Sequence, residues 1–317
     1  MRRVPPARMD REAARPSGSG SWFSVLLLIG YLLLAPPVLL LGPLAGLLLL
    51  ARPHTMREWL WLFATGAWTI LWLNQSGDLA GQVARAGVVL ITGTFLALTL
   101  WRPSARFSRG LAATAIGGIA LVAWMWHLGI GWTDVQHAVE QDLWRSNRDV
   151  VTRLGQVAPG MSGPGLLDDM SAMVRTIASF YPALLVLASL AGMSLAWVWH
   201  RRIARCPLGP PPAGFTAFEF SDQLVWGWVI GLTLCLLPLP QVWRSVGANL
   251  LMVWAVLYAL RGLAVFSVGS RRVPGPIIAT ITIVAMFLLP FVVGGLTLLG
   301  LADTWLDFRR RLAASAT

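Results

Sequence analysis

The feature that most constrains this chain is a succession of apolar runs, each about as long as a bilayer is thick, separated by short arginine-bearing connections. A helix rises 1.5 Å per residue, so about 20 apolar residues cross a hydrocarbon core of roughly 30 Å. Such runs occur at Trp22–Leu50, Arg57–Asn74, Leu79–Leu100, Gly110–Ile130, Thr176–His200, Leu224–Leu239, Ser245–Val268 and Pro276–Leu301. The pattern predicts an all-α polytopic transmembrane bundle of eight or nine spans. Only 12% of the residues are charged, about half the share found in soluble domains. That excludes a disordered chain, a secreted disulfide scaffold and an ordinary soluble enzyme.

The first run is too long for one straight span, and Pro36-Pro37 interrupts it, with a further break expected at Gly42-Pro43. A proline pair removes two helix donors and clashes with the preceding turn. The expectation is two short helices joined on the far side of the membrane.

The basic residues number 25, all arginine, against 14 acidic ones. Their placement reads as orientation. Arg2, Arg3, Arg8, Arg11 and Arg15 precede the first run, and further arginines cluster at 102–109, 201–205 and 271–272. Short arginine-rich loops mark the cytoplasmic side. With the first run broken and the N-terminus inside, all these loops fall inside a bacterial inner membrane. Nine spans then place Arg309, Arg310 and Arg311 outside, unless Pro290 and Gly294-Gly295 split the last run. No soluble stretch is long enough to build a nucleic-acid surface, so no nucleic-acid partner is expected.

The organisation follows: a basic tail at 1–21, transmembrane helices at 22–131, an extracytoplasmic segment at 132–175, transmembrane helices at 176–302 and an interfacial tail at 303–317. The extracytoplasmic segment carries four arginines against six acidic residues. Val135, Val139, Leu143, Val150, Leu154 and Val157 share one helical face, which predicts an amphipathic helix lying on the bundle mouth.

Candidate chemistry is sparse. Gly160-Met161-Ser162-Gly163 matches a GxSG pattern, but His200 lies a membrane thickness away, so no serine nucleophile is assembled. Asp168-Asp169 is a single acidic pair with no second motif. His127 and His137 lack a third donor at metal-ligand spacing, and His54 and His200 are read as interfacial. Cys206 and Cys235 fall at different depths and are not expected to pair. No catalytic group, metal or cofactor is expected.

The small-xxx-small patterns Gly42/Gly46, Ala188/Gly192 and Gly227/Gly231 predict close helix packing. Ionisable and polar residues inside the apolar runs are costly and become functional candidates by default. These are Arg85, Arg261 and Asn249. Arg85 is close enough to an end to snorkel. Asp303 and Asp307 lie beside Arg309 and are read as a salt-bridged interfacial helix.

The last third carries a resemblance. Asn249, Tyr258 with Gly262-Leu263-Ala264-Val265, and Gly300-Leu301-Ala302-Asp303 with Asp307-Phe308-Arg309 resemble the YybS-like family of bacterial membrane proteins. That family is remotely similar to the substrate-capturing membrane subunits of energy-coupling-factor transporters. The resemblance implies a small-solute binding or transport subunit that docks on an ATPase module, with the bilayer and other membrane proteins as partners. The alternative is a non-catalytic scaffold or assembly partner of cell-envelope proteins.

Overall fold

The computed structural model describes residues 19–101, 107–157, 164–212, 214–218, 220–270, 274–306 and 308. Twelve α-helices and two short 3-10 turns make up the described part, with no strand among the described residues. The helices are α1 (Ser19–Leu34), α2 (Val38–Leu50), α3 (Met56–Leu73), α4 (Leu79–Trp101), α5 (Phe107–His127), α6 (Trp132–Val157), α7 (Pro164–Ser179), α8 (Tyr181–Ile203), α9 (Val225–Leu236), α10 (Gln241–Gly269), α11 (Gly275–Phe287) and α12 (Leu289–Leu306). Five of them, α4, α5, α8, α10 and α12, are long and apolar enough to cross a membrane by themselves. The protein is a helical membrane bundle.

The first run breaks where the proline pair demands it, between Leu34 and Val38. The second expected break does not occur. Pro43 lies inside α2, and the helix continues through it to Leu50. Neighbouring helices cover it: Gly42 and Pro43 are buried, and Gly42 lies against Thr69 of α3 and Thr92 of α4. Tertiary packing therefore compensates the one lost hydrogen bond. α1 does not lie along α2. Its tie to the bundle is Tyr31, whose hydroxyl donates to the Ala188 carbonyl at 3.1 Å.

The last run, expected at Pro276–Leu301, is two helices divided at Leu288. Three contacts then set their direction. Thr297 donates to the Ala255 carbonyl, Arg261 donates to Asp303, and a Cβ on Gly300 would overlap the Tyr258 carbonyl. The two hydrogen bonds each join residues 42 apart in sequence. A constant difference means that α10 and α12 run parallel, so α11 crosses back between them. The same logic makes α2 and α4 parallel, through Gly42–Thr92 and Gly46–Leu96, and α4 and α8 parallel, through Gly87–Leu185 and through Arg109, which lies over both Phe95 and Trp197. Asn249 bonds to the start of α8 near the start of α10, which aligns the two halves. The connections after α2, α4, α8, α10 and α12 consequently lie at one end of the bundle. This basic end gathers Arg52, Arg201, Arg202 and Arg205. Splitting the last run thus brings the end of α12 to the basic end.

All three small-xxx-small patterns are used for packing. A Cβ on Gly192 would overlap the Leu39 carbonyl, one on Gly227 the Trp254 ring, and one on Gly46 the Leu96 side chain. At the opposite end α6 lies across α4, α5 and α7. Val135 and Val139 are buried there with Ala80, Val83, Leu121, Met125 and Ala178. The amphipathic reading holds for these positions; Val150, Leu154 and Val157 lie in the part whose side chains are not described. Arg145 of α6 pairs with Asp78 at 2.9 Å. The helix that follows is α7, which stops at Ser179 and gives way to α8 at Tyr181.

Candidate functional site

The charged residues that the sequence singles out converge at the basic end. α10 carries Arg261 in the middle of an apolar stretch, where it is 6% exposed. Its Nε donates to Asp303 Oδ2 at 3.0 Å, and its Nη1 donates to Asp222 Oδ1 at 3.1 Å. The two acids differ sharply in setting. The Asp303 side chain is 1% exposed on α12, whereas Asp222 is 65% exposed on the loop before α9. Arg261 thus bridges two helices and a surface loop with two charge-assisted hydrogen bonds, the stronger class. Its guanidinium also lies 5.5 Å from the centre of the Phe220 ring.

Asp303 is buried and bonds to Arg261 across 42 residues, a contact that its neighbours in the sequence do not suggest. The reason is geometric. Gly262 and Gly300 bring the α10 and α12 backbones together: a Cβ on Gly262 would overlap the Leu296 carbonyl. That approach turns Asp303 toward Arg261. Asp307 and Arg309 lie outside the described residues.

An aromatic group surrounds the bridge. Tyr258 is fully buried, in edge-to-face contact with Phe220 (5.2 Å) and Trp228 (6.2 Å). Its hydroxyl has Thr304 as a polar neighbour. The loop from Ala204 to Leu224 reaches across the basic end. Phe218 packs against Phe107 of α5 while Phe220 fills the space beside Trp254 and Tyr258. The loop is consequently the piece that joins the two halves of the bundle there.

The remaining candidates lie elsewhere. Asn249 is a hydrogen-bond post: its Oδ1 accepts from Ala183 N at 3.0 Å, and its Nδ2 donates to the Ser179 and Ser245 carbonyls. It satisfies groups exposed by the break at Phe180 and does not approach Arg261. The Arg85 guanidinium bends to the opposite end, against Gly77 and Gly81. Asp78 is held below the ordinary carboxylate range there, chiefly by the Gly81 N–H and also by Arg145.

Two groups escape the sequence reading. His200 is fully buried in the last turn of α8, and neither ring nitrogen has a hydrogen-bond partner among the described residues. Its ring lies 6.2 Å from Trp197, over which the Arg109 guanidinium sits at 4.5 Å. Glu58 is buried at the start of α3. Its carboxylate accepts from His54 N at 2.7 Å, from Thr55 N at 2.8 Å and from Arg205 N. The signal for Glu58 was present as Thr55-x-x-Glu58, the capping-box spacing; the reach to Arg205 has no local signal. Cys206 and Cys235 are both free thiols.

The surface hollows are not polar sites. One lies against α10–α12 with Val265, Phe266, Ile278, Ile281 and Leu299 in its wall, the other on α5 around Ile119 and Trp126. Both are open and apolar, as expected of surfaces that face lipid.

The comparisons agree with this architecture. The family described as predicted membrane protein (DUF2232) matches residues 22–304, and the chain belongs to it. The match supports the expected membrane-protein family across most of the chain. No curated protein matches, and neither does any solved structure.

Proposed function

We propose that this member of the predicted membrane protein family is a non-catalytic subunit of a bacterial cytoplasmic membrane that binds or passes a small solute. The basic end and the N-terminus face the cytoplasm in this reading, following the arginine bias. The observation that carries it is the Arg261 bridge. An ion pair inside a membrane bundle costs insertion free energy and is retained where charge has a task. Here one of the two acids sits on an exposed loop, so the loop and the buried pair are coupled. A solute that competes for Arg261 or Asp222 would release the loop from α10. The remote likeness to energy-coupling-factor subunits supports the same reading, with an ATPase module as partner.

A second reading is a scaffold for cell-envelope proteins. The packing of α6 favours it: Val135 and Val139 sit directly on α4 and α5, with no space left beneath them. Pull-down from native membranes separates the two. A solute subunit co-purifies with an ATPase and is thermally stabilised by its solute. Recovery of envelope proteins without an ATPase, and with no stabilising solute, overturns the first reading.

A further inference from the structure

We infer that the N-terminus of α3 and the start of the 204–224 loop together form a binding site for the headgroup of an anionic phospholipid. The inference is independent of the solute reading. Glu58 builds the site. By accepting from the backbone of His54, Thr55 and Arg205, its carboxylate staples the 51–55 turn to the end of α8. The staple brings Arg52, Arg57 and Arg205 to one place, and all three are exposed.

None of those three has an acidic side-chain partner among the described residues. Arg201 and Arg202 flank them. Arg201 donates to the Gly209 carbonyl, and Arg202 lies over the Trp199 ring at 5.6 Å. Glu58 is the sole acid in the staple, and its oxygens are engaged by backbone N–H groups. Arg52 also occupies the left-handed region, with φ 55°. Side chains other than glycine and asparagine rarely accept that conformation, and it is kept here at an arginine.

The occupant follows from what lies below the arginines. Met56, Trp59, Leu60 and Phe63 are exposed at i, i+3, i+4 and i+7 of α3, a single stripe running into the membrane. A phosphodiester on the arginines with acyl chains along that stripe satisfies both halves of the surface. Arginine forks suit phosphate oxygens, and basic pockets between membrane helices hold such headgroups.

The test uses the full chain in nanodiscs, with native mass spectrometry counting retained lipid. Zwitterionic phosphatidylcholine is compared with phosphatidylglycerol. The wild type is expected to retain phosphatidylglycerol selectively. R57Q and R205Q should each weaken retention about fivefold, the triple R52Q/R57Q/R205Q should abolish it, and R145Q at the opposite end should leave it intact. Equal melting of the variants in phosphatidylcholine alone shows that they fold; if the triple does not fold, the single variants decide. Selective retention undiminished in R57Q and R205Q overturns the site. Equal stabilisation by inorganic phosphate without lipid overturns the lipid assignment and marks a free-anion site.

Discussion

Arg261 and Asp303 meet inside the bundle, Nε to Oδ2 at 3.0 Å, from two helices that run in the same direction. The pair is closed by backbone contact at Gly262 and Gly300, and a third charge, Asp222, reaches it from the surface.

Removing the buried acid should cost far more than removing the exposed one. D303N is expected to destabilise by about 3 kcal/mol, the scale for stranding one member of a buried pair. D222N, which removes an exposed partner, should cost less than about 1 kcal/mol. Replacing both buried charges, as R261M/D303L, should recover most of the loss. Thermal unfolding followed by tryptophan fluorescence checks all three; equal losses for D303N and D222N would contradict the assigned burial.

The glycines of the same helix pair make a sharper test. G300A and G262A place a methyl group into the facing backbone, and each should cost more than about 2 kcal/mol as overpacking. G294A and G295A meet nothing within 4 Å. Each should raise stability by roughly 0.5–1 kcal/mol through helix propensity alone.

How much of this was legible beforehand depends on distance along the chain. The all-helical bundle and the proline break came from local rules, because apolar runs and Pro36-Pro37 act on their own neighbourhoods. Arg261, Asn249 and Asp303 stood out because polar residues beside apolar runs are rare. The bond from Arg261 to Asp303 had no local signal, since only the close approach of α10 and α12 turns the carboxylate inward. His200 and the Glu58–Arg205 contact stayed hidden for the same reason: 147 residues separate the latter pair, and no periodicity encodes that. Pro43 shows the converse, a local breaker overruled by packing.

Asn249 should behave as a structural post. N249A loses bonds to Ala183 N and to the Ser179 carbonyl and is expected to cost about 1–2 kcal/mol. A double variant with D303N should be additive, because the two sites share no partner. Unfolding of the single and double variants measures this directly.

The α6 contact should loosen in acid. The Gly81 N–H and Arg145 favour the ionised form of Asp78, so its folded pKa is depressed. A depressed carboxylate stabilises above its ordinary value, about 3.9, and that contribution disappears as pH falls through the folded value. Protection of the α6 amides, taken relative to the intrinsic exchange rate, should therefore fall in acid for the wild type and fall less in D78N. An equal fall in both would assign the effect to another group.

Topology follows from the parallel pair. Reporters placed at residue 150 and at the C-terminus should give opposite signals, and the C-terminal reporter should agree with one at residue 272. Opposite signals at residue 272 and at the C-terminus would refute the parallel arrangement.

The sequence separations at Arg261 also set an order of events during synthesis. Arg261 leaves the ribosome 42 residues before Asp303 and 39 residues after Asp222. An arginine within a spanning helix is costly to insert, and its buried counter-ion does not yet exist at that moment. Asp222 does. Of the two acids, the exposed loop carboxylate is thus the one already synthesised when Arg261 emerges, and the buried partner follows only after α11.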